Sequence, residues 1–271
     1  MTVPRIHVLD DPTAQGELVA ALVADALARR PDAVLGVATG SSPLPVYTAL
    51  AGRAGPAPAH LVALDEYVGL PSGHPQSYRA TILREVAGPL GVPAGRVHVP
   101  DGSLPDLTAA AADFEDTIAA LGGVDVQLLG IGSNGHLAFN EPGSALTSRT
   151  RAVDLTARTR EDNARFFGGT VDDVPRRALT QGIATLLQAR SLVLVARGAA
   201  KASAVRAALL GPIDAACPAS ALRRHPCVTL VLDIAAASKL GMALVDLAAD
   251  HDGELHPTTA RPARPAMRSS R

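Results

Sequence analysis

The sequence predicts an α/β fold, an open and mostly parallel β-sheet with helices on both faces. Short, nearly continuous apolar segments rich in β-branched residues recur along the chain, and stretches with helical spacing of apolar residues lie between them. Such apolar segments are typical of parallel strands that are covered on both faces. The alternation of strand and helix therefore indicates a parallel sheet, and right-handed crossovers distribute the helices over its two faces.

Five strands are predicted from these apolar segments, at 34–38, 60–64, 124–129, 192–195 and 228–232. The first helix is predicted because Leu18, Leu22 and Ala26 recur every four residues and form one apolar stripe. The remaining helices are predicted at 44–50, 77–86, 106–121, 176–188 and 199–210.

Composition indicates one large core and one domain. Of the 271 residues, 47% are hydrophobic and the mean hydropathy is +0.18, which excludes a disordered chain. We expect a single domain over residues 1–250. Residues 251–271 contain several prolines and arginines but only one aliphatic residue of the Val, Ile or Leu type, Leu255, and are predicted to be a disordered tail.

Charge and targeting signals narrow the functions that are open to the chain. The 25 basic and 26 acidic residues give a net charge of −1, without the basic excess of a nucleic-acid-binding domain. No apolar segment approaches the ~20 residues of a membrane span, and the N-terminus has no signal-peptide pattern. Cys217 and Cys227 cannot form a disulfide scaffold. We therefore expect a cytoplasmic protein whose partner is neither nucleic acid nor a membrane.

Candidate functional residues are sought where strands end, because ligands of open parallel sheets bind beyond the carboxyl ends of the strands. Thr39, Gly40, Ser41 and Ser42 follow the first predicted strand and precede a helix. Small residues, hydroxyl groups and a helix N-terminus together suit a phosphate group. The alternative is an ordinary strand–helix turn in which Ser42 caps the helix and Pro43 is its first residue.

Two adjacent carboxylates, Asp65 and Glu66, follow the second predicted strand. A carboxylate at the end of a strand could act as a general base in catalysis. A polar turn or a helix N-cap is the other common use of such residues, and these two residues alone do not decide between the alternatives.

A glycine-rich segment follows the third predicted strand, with Gly130, Gly132 and Gly135 in the spacing of a dinucleotide-binding fingerprint. That fingerprint should open a helix in the first strand–helix–strand unit, whereas this segment lies in mid-chain and continues into poor helix formers. We therefore predict a loop instead of a dinucleotide site. The loop carries His136 and Glu141, and an imidazole beside a carboxylate is a workable proton-transfer pair near neutral pH. A purely structural histidine is the alternative.

Two cations are candidates for binding an anion. Lys201 is one of only two lysines in the chain and follows the fourth predicted strand, where an ammonium group suits a phosphate. Its alternative is a solvated position on the surface of a helix. Arg165 is the second candidate, although arginine is abundant in this chain.

Taken together, these segments make the chain similar to the glucosamine-6-phosphate deaminase family, also called the glucosamine-6-phosphate isomerase family. The resemblance extends from about residue 34 to about residue 233, roughly three quarters of the chain, in the order found in the family. The matching segments are 38–43, 64–70, 74–78, 130–142, 148–151, 163–167, 174–175, 178–180 and 201–202. The segments at 64–70 and 130–142 are specific in combination, far more than any single motif.

The resemblance implies a Rossmann-like domain that isomerises and deaminates glucosamine 6-phosphate, giving fructose 6-phosphate and ammonia, in amino-sugar (N-acetylglucosamine) catabolism. By motif position, Asp65 would move a proton between C2 and C1, and His136 would help to open the pyranose ring with Glu141 as its partner. The residues that would hold the 6-phosphate are Thr39, Gly40, Ser41, Ser42, Arg165 and Lys201. This chemistry requires no cofactor and no metal, and we see no closely spaced metal-ligand set.

Two positions depart from patterns found in the family. Some members carry aspartate where this chain has Asn134, two residues before His136. Asparagine cannot pair as a charge with an imidazolium but can orient the ring by a hydrogen bond, so we keep Asn134 among the catalytic candidates. Allosteric members carry lysine at the position of Val153, although Ser144 and Arg151 match. We therefore predict weak or absent activation by N-acetylglucosamine 6-phosphate.

Two other functions stay open at this point. A 6-phosphogluconolactonase-type hydrolase of similar fold would need no base at C2, which leaves Asp65 idle. A non-catalytic sugar-phosphate sensor would carry a DNA-binding segment, and no helix-turn-helix pattern is found after His251. The joint presence of Asp65, His136 and Glu141 favours catalysis. The choice between glucosamine and galactosamine 6-phosphate is open, and so is assembly into a homo-oligomer.

Overall fold

The structure is a computed structural model that describes residues 4–71 and 73–241. In this part of the chain ten strands form two sheets. The strands are β1 (Arg5–Val8), β2 (Val34–Val37), β3 (His60–Ala63), β4 (Asp65–Tyr67), β5 (Val97–His98), β6 (Val126–Leu129), β7 (Arg151–Asp154), β8 (Arg177–Thr180), β9 (Ser191–Ala196) and β10 (Val228–Leu232).

Helices of very different length connect these strands. The helices are α1 (Pro12–Ala28), α2 (Leu44–Gly52), α3 (Tyr78–Ile82), α4 (Gly88–Leu90), α5 (Leu107–Ala120), α6 (Ala157–Asn163), α7 (Ile183–Leu186), α8 (Ala202–Leu210) and α9 (Ile234–Ala237). A π-helical turn at Leu83–Ala87 joins α3 to α4. The 3₁₀ turns are Ala94–Arg96, Ala164–Phe166, Val171–Asp173, Ala199–Lys201 and Pro218–Arg224.

The main sheet has seven strands in the order β1-β10-β9-β6-β2-β3-β5, and every neighbouring pair is parallel. Its five inner strands are the five that the apolar segments predict, and β1 and β5 form its edges. The α/β prediction is therefore confirmed. The strand order changes direction between β2 and β6, and open sheets bind ligands beside such a switch point.

The side chains of the strands alternate between two cores, one on each face of the main sheet. One core joins α1 and α2 to Leu35 and Leu61, and the other joins α5 and α8 to Val34 and Val62. Neighbouring residues of one strand thus face opposite cores, as the period of two requires. Fully burying each such side chain contributes about 1.5–3 kcal/mol relative to exposure. The prediction of helices on both faces is confirmed.

A second sheet replaces the helix that the sequence predicts at 176–188. Arg177–Thr180 is strand β8, which pairs antiparallel with both β4 and β7, and only Ile183–Leu186 is helical in that stretch. The helix prediction is wrong because Leu179, Ile183 and Leu186 happen to recur at helical spacing. Leu179 is instead buried in a strand whose partners lie far away in the sequence, so the pairing leaves no local pattern.

The chain passes from the main sheet to the second sheet within two residues. Strand β3 ends at Ala63, and β4 begins at Asp65, where the backbone turns to pair with Thr180 of β8. Asp65 therefore lies at the junction of the two sheets, at the carboxyl end of an inner parallel strand. The sequence prediction places Asp65 directly after the end of a strand and contains neither β4 nor β7.

The predicted tail at 251–271 lies outside the described residues, and so does the end of the predicted domain, from residue 242 to residue 250. Single-domain organisation over 1–250 thus stays a prediction. Among the helices of residues 4–71 and 73–241, none combines the length and the apolar character that crossing a bilayer demands.

Candidate active site

A cleft of about 890 Å³ lies at the carboxyl ends of the main-sheet strands. The segments that follow β2, β3, β6 and β9 all contribute to its walls, which is the arrangement expected for an open parallel sheet. Eight of the ten residues singled out in the sequence line this one cleft: Thr39, Gly40, Ser41, Ser42, Asp65, His136, Arg165 and Lys201. The other two, Asn134 and Glu141, lie behind His136 and contact it directly.

The carboxyl group of Asp65 is nearly enclosed, because the residue is only 7% exposed although it lines the cleft. Its side chain makes no hydrogen bond to another group of residues 4–71 and 73–241. Burial, together with the smaller effect of the neighbouring charge of Glu66, raises the pKa of Asp65 to about 8. A carboxyl group with a pKa close to neutrality can both take up and return a proton under ordinary conditions.

The neighbouring Glu66 has a structural task. Its carboxylate accepts hydrogen bonds from the backbone N–H groups of Tyr67, Tyr78 and Arg79, at 2.8–2.9 Å. Two of these donors belong to the first turn of α3, where N–H groups lack partners within the helix. Glu66 is not the N-cap, which is Ser77, but it satisfies free N–H groups at the start of α3. Asp65 faces the cleft instead.

The glycine-rich segment after β6 is a loop, and the helix that a dinucleotide fingerprint needs does not follow it. The loop folds back on itself, because Gly132 N–H donates to the carbonyl of His136 at 3.0 Å. The imidazole ring then occupies the space beside Gly132, where a Cβ atom would lie 2.3 Å from the ring Cε1. Gly135 has a φ of +90°, a conformation that glycine adopts without strain.

His136 faces an anionic partner. Its Nδ1 lies 3.5 Å from Oε2 of Glu141, an ion-pair distance, and makes no hydrogen bond to any described residue. Catalytic pairs often shorten such a separation when substrate binds. Asn134 Nδ2 donates to the same Oε2 at 2.7 Å, and Asn134 Oδ1 accepts from the backbone N–H of His136 at 3.2 Å. The Asn134 amide therefore orients the backbone and Glu141, where the sequence suggested that it would orient the ring.

The charge of Glu141 is strongly stabilised. The approach of His136, followed by hydrogen bonds from Thr159 and Asn134, lowers its pKa to about 2 in spite of partial burial. Glu141 is thus a permanent carboxylate at every pH at which the protein is expected to work. It can stabilise an imidazolium at His136, so that this histidine can gain and lose a proton during a reaction.

Asn140, which is fully buried, anchors the loop that carries His136 and Glu141. Its Nδ2 donates to the carbonyls of Leu137 and Gln181, at 2.9 and 2.7 Å. Its Oδ1 accepts a hydrogen bond from Arg151 at 2.8 Å, and the same guanidinium donates to Ser144 at 3.2 Å. These contacts hold the backbone between His136 and Glu141 in place, because both polar atoms of the buried Asn140 side chain have partners.

Cations line the opposite part of the cleft. Lys201 ends the 3₁₀ turn that follows β9, and Arg165 lies in the 3₁₀ turn that follows α6. Burial lowers the pKa of Lys201, the nearby Arg165 lowers it further, and Asp162 acts in the opposite direction. The backbone before Lys201 is fixed by Asp233, whose Oδ2 accepts from Gly198 N–H at 2.8 Å. The two cations therefore lie close enough for the charge of Arg165 to act on Lys201.

The segment Thr39–Ser42 forms the turn between β2 and α2. Ser42 does not cap this helix: the N-cap position is Pro43, which provides no side-chain hydrogen bond. The ordinary capped turn considered as an alternative is therefore not what the structure contains. Gly40 has a φ of +101°, which turns the backbone towards the cleft in a conformation that other residues adopt only with strain. The small side chains leave room for a ligand here.

Several cleft residues were missed by sequence reasoning: Thr159, Asn163, Arg197 and Asp233. Arg197 directly follows β9, so the strand-end rule that selected Lys201 could also have selected it. Thr159 is bonded to a residue eighteen positions away, and Asn163 donates to the hydroxyl of Tyr67 across ninety-six positions. No spacing rule reports such contacts. Within the described ranges, no three His, Cys, Asp or Glu side chains group together as a metal site would require.

The fold and the site define a class of sugar-phosphate enzyme, and comparison with known proteins gives the same class. The model of the family "Glucosamine-6-phosphate isomerases/6-phosphogluconolactonase" matches residues 12–231. The chain belongs to this family. The family description covers two activities, an isomerase and a lactonase, so the individual relatives are informative.

The most similar curated relatives include two glucosamine-6-phosphate deaminases. That of Streptomyces coelicolor is 53% identical over 244 residues, covering 88% of this chain and 94% of the relative. That of Mycolicibacterium smegmatis is 50% identical over 241 residues, covering 87% and 92%.

Solved structures agree with these sequence relatives. A monomeric glucosamine-6-phosphate deaminase superposes with a TM-score of 0.81 at 38% identity, covering 87% of this chain and 99% of that one. A 6-phosphogluconolactonase from Trypanosoma cruzi superposes with a TM-score of 0.71 at 19% identity, covering 89% and 98%. The similarity to the lactonase shows a common fold and no more.

Proposed function

We propose that the protein is a glucosamine-6-phosphate deaminase, which converts glucosamine 6-phosphate and water to fructose 6-phosphate and ammonia. One observation carries the proposal: Asp65 and His136, which has Glu141 as its partner, open into the same cleft as the cations Arg165 and Lys201. The names of the relatives at 50–53% identity support the same activity. The partner of the protein is thus a small sugar phosphate, and we place the reaction in the cytoplasm.

The phosphate group is the tether of the substrate. Arg165 and Lys201 bind it by charge, and the turn Thr39–Ser42 adds hydroxyl and backbone N–H donors. The 6-phosphate takes no part in the chemistry at C1 and C2. The binding energy of the 6-phosphate, which lies away from C1 and C2, therefore serves to orient these reacting carbon atoms.

Ring opening is the first chemical step. A proton must leave the hydroxyl on C1 and a proton must reach the ring oxygen O5, and one imidazole that alternates between its two states can serve both atoms. His136 takes this role, and Glu141 stabilises its charged form. Asn134 keeps Glu141 turned towards the ring.

Isomerisation and deamination follow on the open chain. Asp65 removes the proton from C2, and O1 takes up a proton released by the substrate ammonium, which gives a neutral enolamine. Asp65 then returns its proton to C1, which leaves a protonated imine at C2. Water adds to this imine, and ammonia departs as the ketone forms. The amino group of the substrate, when protonated beside Asp65, favours the ionised carboxylate, so binding lowers the pKa of a base that burial has raised.

The alternatives predict different products from the same cleft. A 6-phosphogluconolactonase needs no base at C2, and a sensor would bind the sugar phosphate without turnover. The position of Asp65 beside the cleft favours the deaminase over both. Each of these three functions is compatible with a single copy of the chain and with a homo-oligomer.

The test is an assay of the purified protein with glucosamine 6-phosphate, in which ammonia and fructose 6-phosphate are both measured. We expect the two products in equal amounts. Galactosamine 6-phosphate, tested in parallel, determines whether the C4 hydroxyl is distinguished. Hydrolysis of 6-phosphogluconolactone without ammonia release, or binding of the amino sugar phosphate without products, would reject the proposal.

A further inference from the structure

A chain of hydroxyl groups leads from the start of α6 to the carboxylate of Glu141. Thr156, the N-cap of α6, accepts from the backbone N–H of Thr159 at 3.1 Å and donates its own proton to Thr159 Oγ1 at 3.0 Å. Thr159 Oγ1 in turn donates to Oε1 of Glu141 at 2.6 Å. The direction of the chain is fixed because an ionised carboxylate can only accept.

This hydrogen bond reaches the oxygen of Glu141 that no other catalytic candidate contacts. Oε2 faces His136 and accepts from Asn134, whereas Oε1 accepts from Thr159. With both oxygens held, the carboxylate cannot rotate away from the imidazole. Thr159 is only 9% exposed, so water is poorly placed to replace its hydroxyl group.

The helix that provides Thr159 also leads to the cation side of the cleft. Helix α6 continues from Asn163 directly into the 3₁₀ turn that carries Arg165. One continuous helical segment therefore contacts the partner of the proton-transferring histidine at one end and lines the anion-binding region at the other.

We propose that Thr159 is a positioning residue of this site, whose hydroxyl group fixes the Glu141 carboxylate against His136 from the helical segment that also carries Arg165. The proposal rests on the deaminase function of the site. Thr159 acts through Glu141 and needs no contact with the reacting atoms. The chain of donors from Thr156 strengthens the bond, because consecutive hydrogen bonds polarise one another.

The test replaces Thr159 by valine, which keeps the shape of the side chain and removes only the hydroxyl group. We expect kcat to fall about tenfold, the effect of losing one hydrogen bond to a charged group, while KM changes little because the phosphate ligands are intact. Thr159→Ser, which keeps the hydroxyl group, should restore most of kcat. Thr159→Ala serves the same purpose if valine is not tolerated, with the same expected loss.

Thr117→Val is the matched control. Thr117 is a half-buried residue of α5 whose hydroxyl donates to the carbonyl of Asp113, so this variant also removes a threonine hydroxyl from a helix. It should leave kcat and KM unchanged. An equal loss in Thr117→Val and Thr159→Val would overturn the proposal, because the effect would then belong to any such replacement.

A second measurement does not depend on the reaction. The side-chain carboxyl signal of Glu141 is followed by NMR in uniformly ¹³C-labelled protein without substrate, and is assigned with Glu141→Gln. We expect the pKa of Glu141 to rise in Thr159→Val and to stay near its original value in Thr159→Ser. If the protein fails to release ammonia but this rise is seen, the deaminase function fails while the contact stands. An unchanged kcat, an unchanged Glu141 titration, or a serine variant as impaired as valine overturns the proposal.

Discussion

The imidazole ring of His136 lies so close to Gly132 that a methyl group on Gly132 would approach Cε1 to 2.3 Å. Gly132→Ala must therefore displace the ring from Glu141. We expect kcat to fall by about 10- to 100-fold, because catalytic groups misplaced by about an ångström lose activity on that scale. Steady-state kinetics with circular dichroism provides the measurement. Gly95→Ala is the control, since no atom lies within 4 Å of its added methyl group; equal activity of the two variants would contradict this account.

Removal of the proposed base should separate turnover from binding. Asp65→Asn keeps the size of the side chain and abolishes proton abstraction, so we expect kcat to fall by about 10²- to 10⁴-fold with substrate binding retained. Calorimetric titration with glucosamine 6-phosphate measures the binding. If Asp65→Asn turns over the substrate nearly as fast as the unmodified protein, Asp65 is not the base that acts on C2.

The same carboxyl group predicts the pH dependence of the reaction. A base is active when ionised, and the pKa of Asp65 in the free protein is raised to about 8. The value of kcat/KM should therefore increase with pH through the neutral range and level off above about 8. The midpoint for kcat should be lower, since the substrate ammonium favours the carboxylate. A flat kcat/KM between pH 6 and 8, read from initial rates, would contradict the prediction.

Asp65 should also cost stability at neutral and alkaline pH. Its pKa rises from 3.8 to about 8 on folding, so the folded protein retains a proton that the unfolded chain releases over this range. The free energy of unfolding therefore decreases as the pH rises from about 4 to about 8. Asp65→Asn removes this cost, and we expect its Tm to exceed that of the parent protein by several degrees at pH 8, less at pH 5. Thermal melts at both values are the check, and an equal difference at the two would be incompatible.

The lysine assigned to the phosphate should affect KM. In Lys201→Gln the loss of a charged contact is expected to raise KM by about 10- to 100-fold, with a smaller effect on kcat. The other lysine of the chain offers a matched control: Lys239 is exposed and, among the described residues, forms a hydrogen bond only with Ser203. Lys239→Gln should therefore behave as the parent protein. If the two variants have comparable KM values, Lys201 does not bind the substrate phosphate.

Activation by N-acetylglucosamine 6-phosphate is expected to be weak or absent. Arg151 is engaged with Asn140 and Ser144, and Val153 contributes no cation beside it. Rate against substrate concentration should be hyperbolic, and the effector should leave the curve unchanged. A sigmoidal curve that the effector converts to a hyperbola would show that a cation at position 153 is dispensable.

Sequence patterns predicted the parts of this fold that local periodicity encodes. The inner strands of the main sheet are nearly continuous apolar segments, and the strand-end rule then located Asp65, His136 and Lys201 at one edge. The second sheet was not predicted, because β4 is a three-residue strand of polar and aromatic residues, Asp65–Tyr67. Its partner strand β8 is also distant in the sequence. Without knowledge of the partner strand, a short strand of polar residues cannot be distinguished from a turn in the sequence.

The site was predicted where one loop or one strand end provides the residue, and missed where two distant loops meet. Asn134, His136 and Glu141 lie within eight positions, so a local motif records them. The contact of Thr159 with Glu141 depends on how α6 packs over that loop, and the different tasks of Asp65 and Glu66 depend on which carboxylate faces the helix. Neither relationship is encoded in spacing along the chain.

The order of the main sheet has a consequence for synthesis of the chain on the ribosome. Strand β6 is fully buried between β2, which is made before it, and β9, which is made more than sixty residues later. Until Ser191–Ala196 emerges, the growing chain presents Val126–Leu129 as an open apolar edge. Strand β1 must likewise wait for β10 at the far end. Nascent chains that stall before β9 are therefore the species most in need of chaperones.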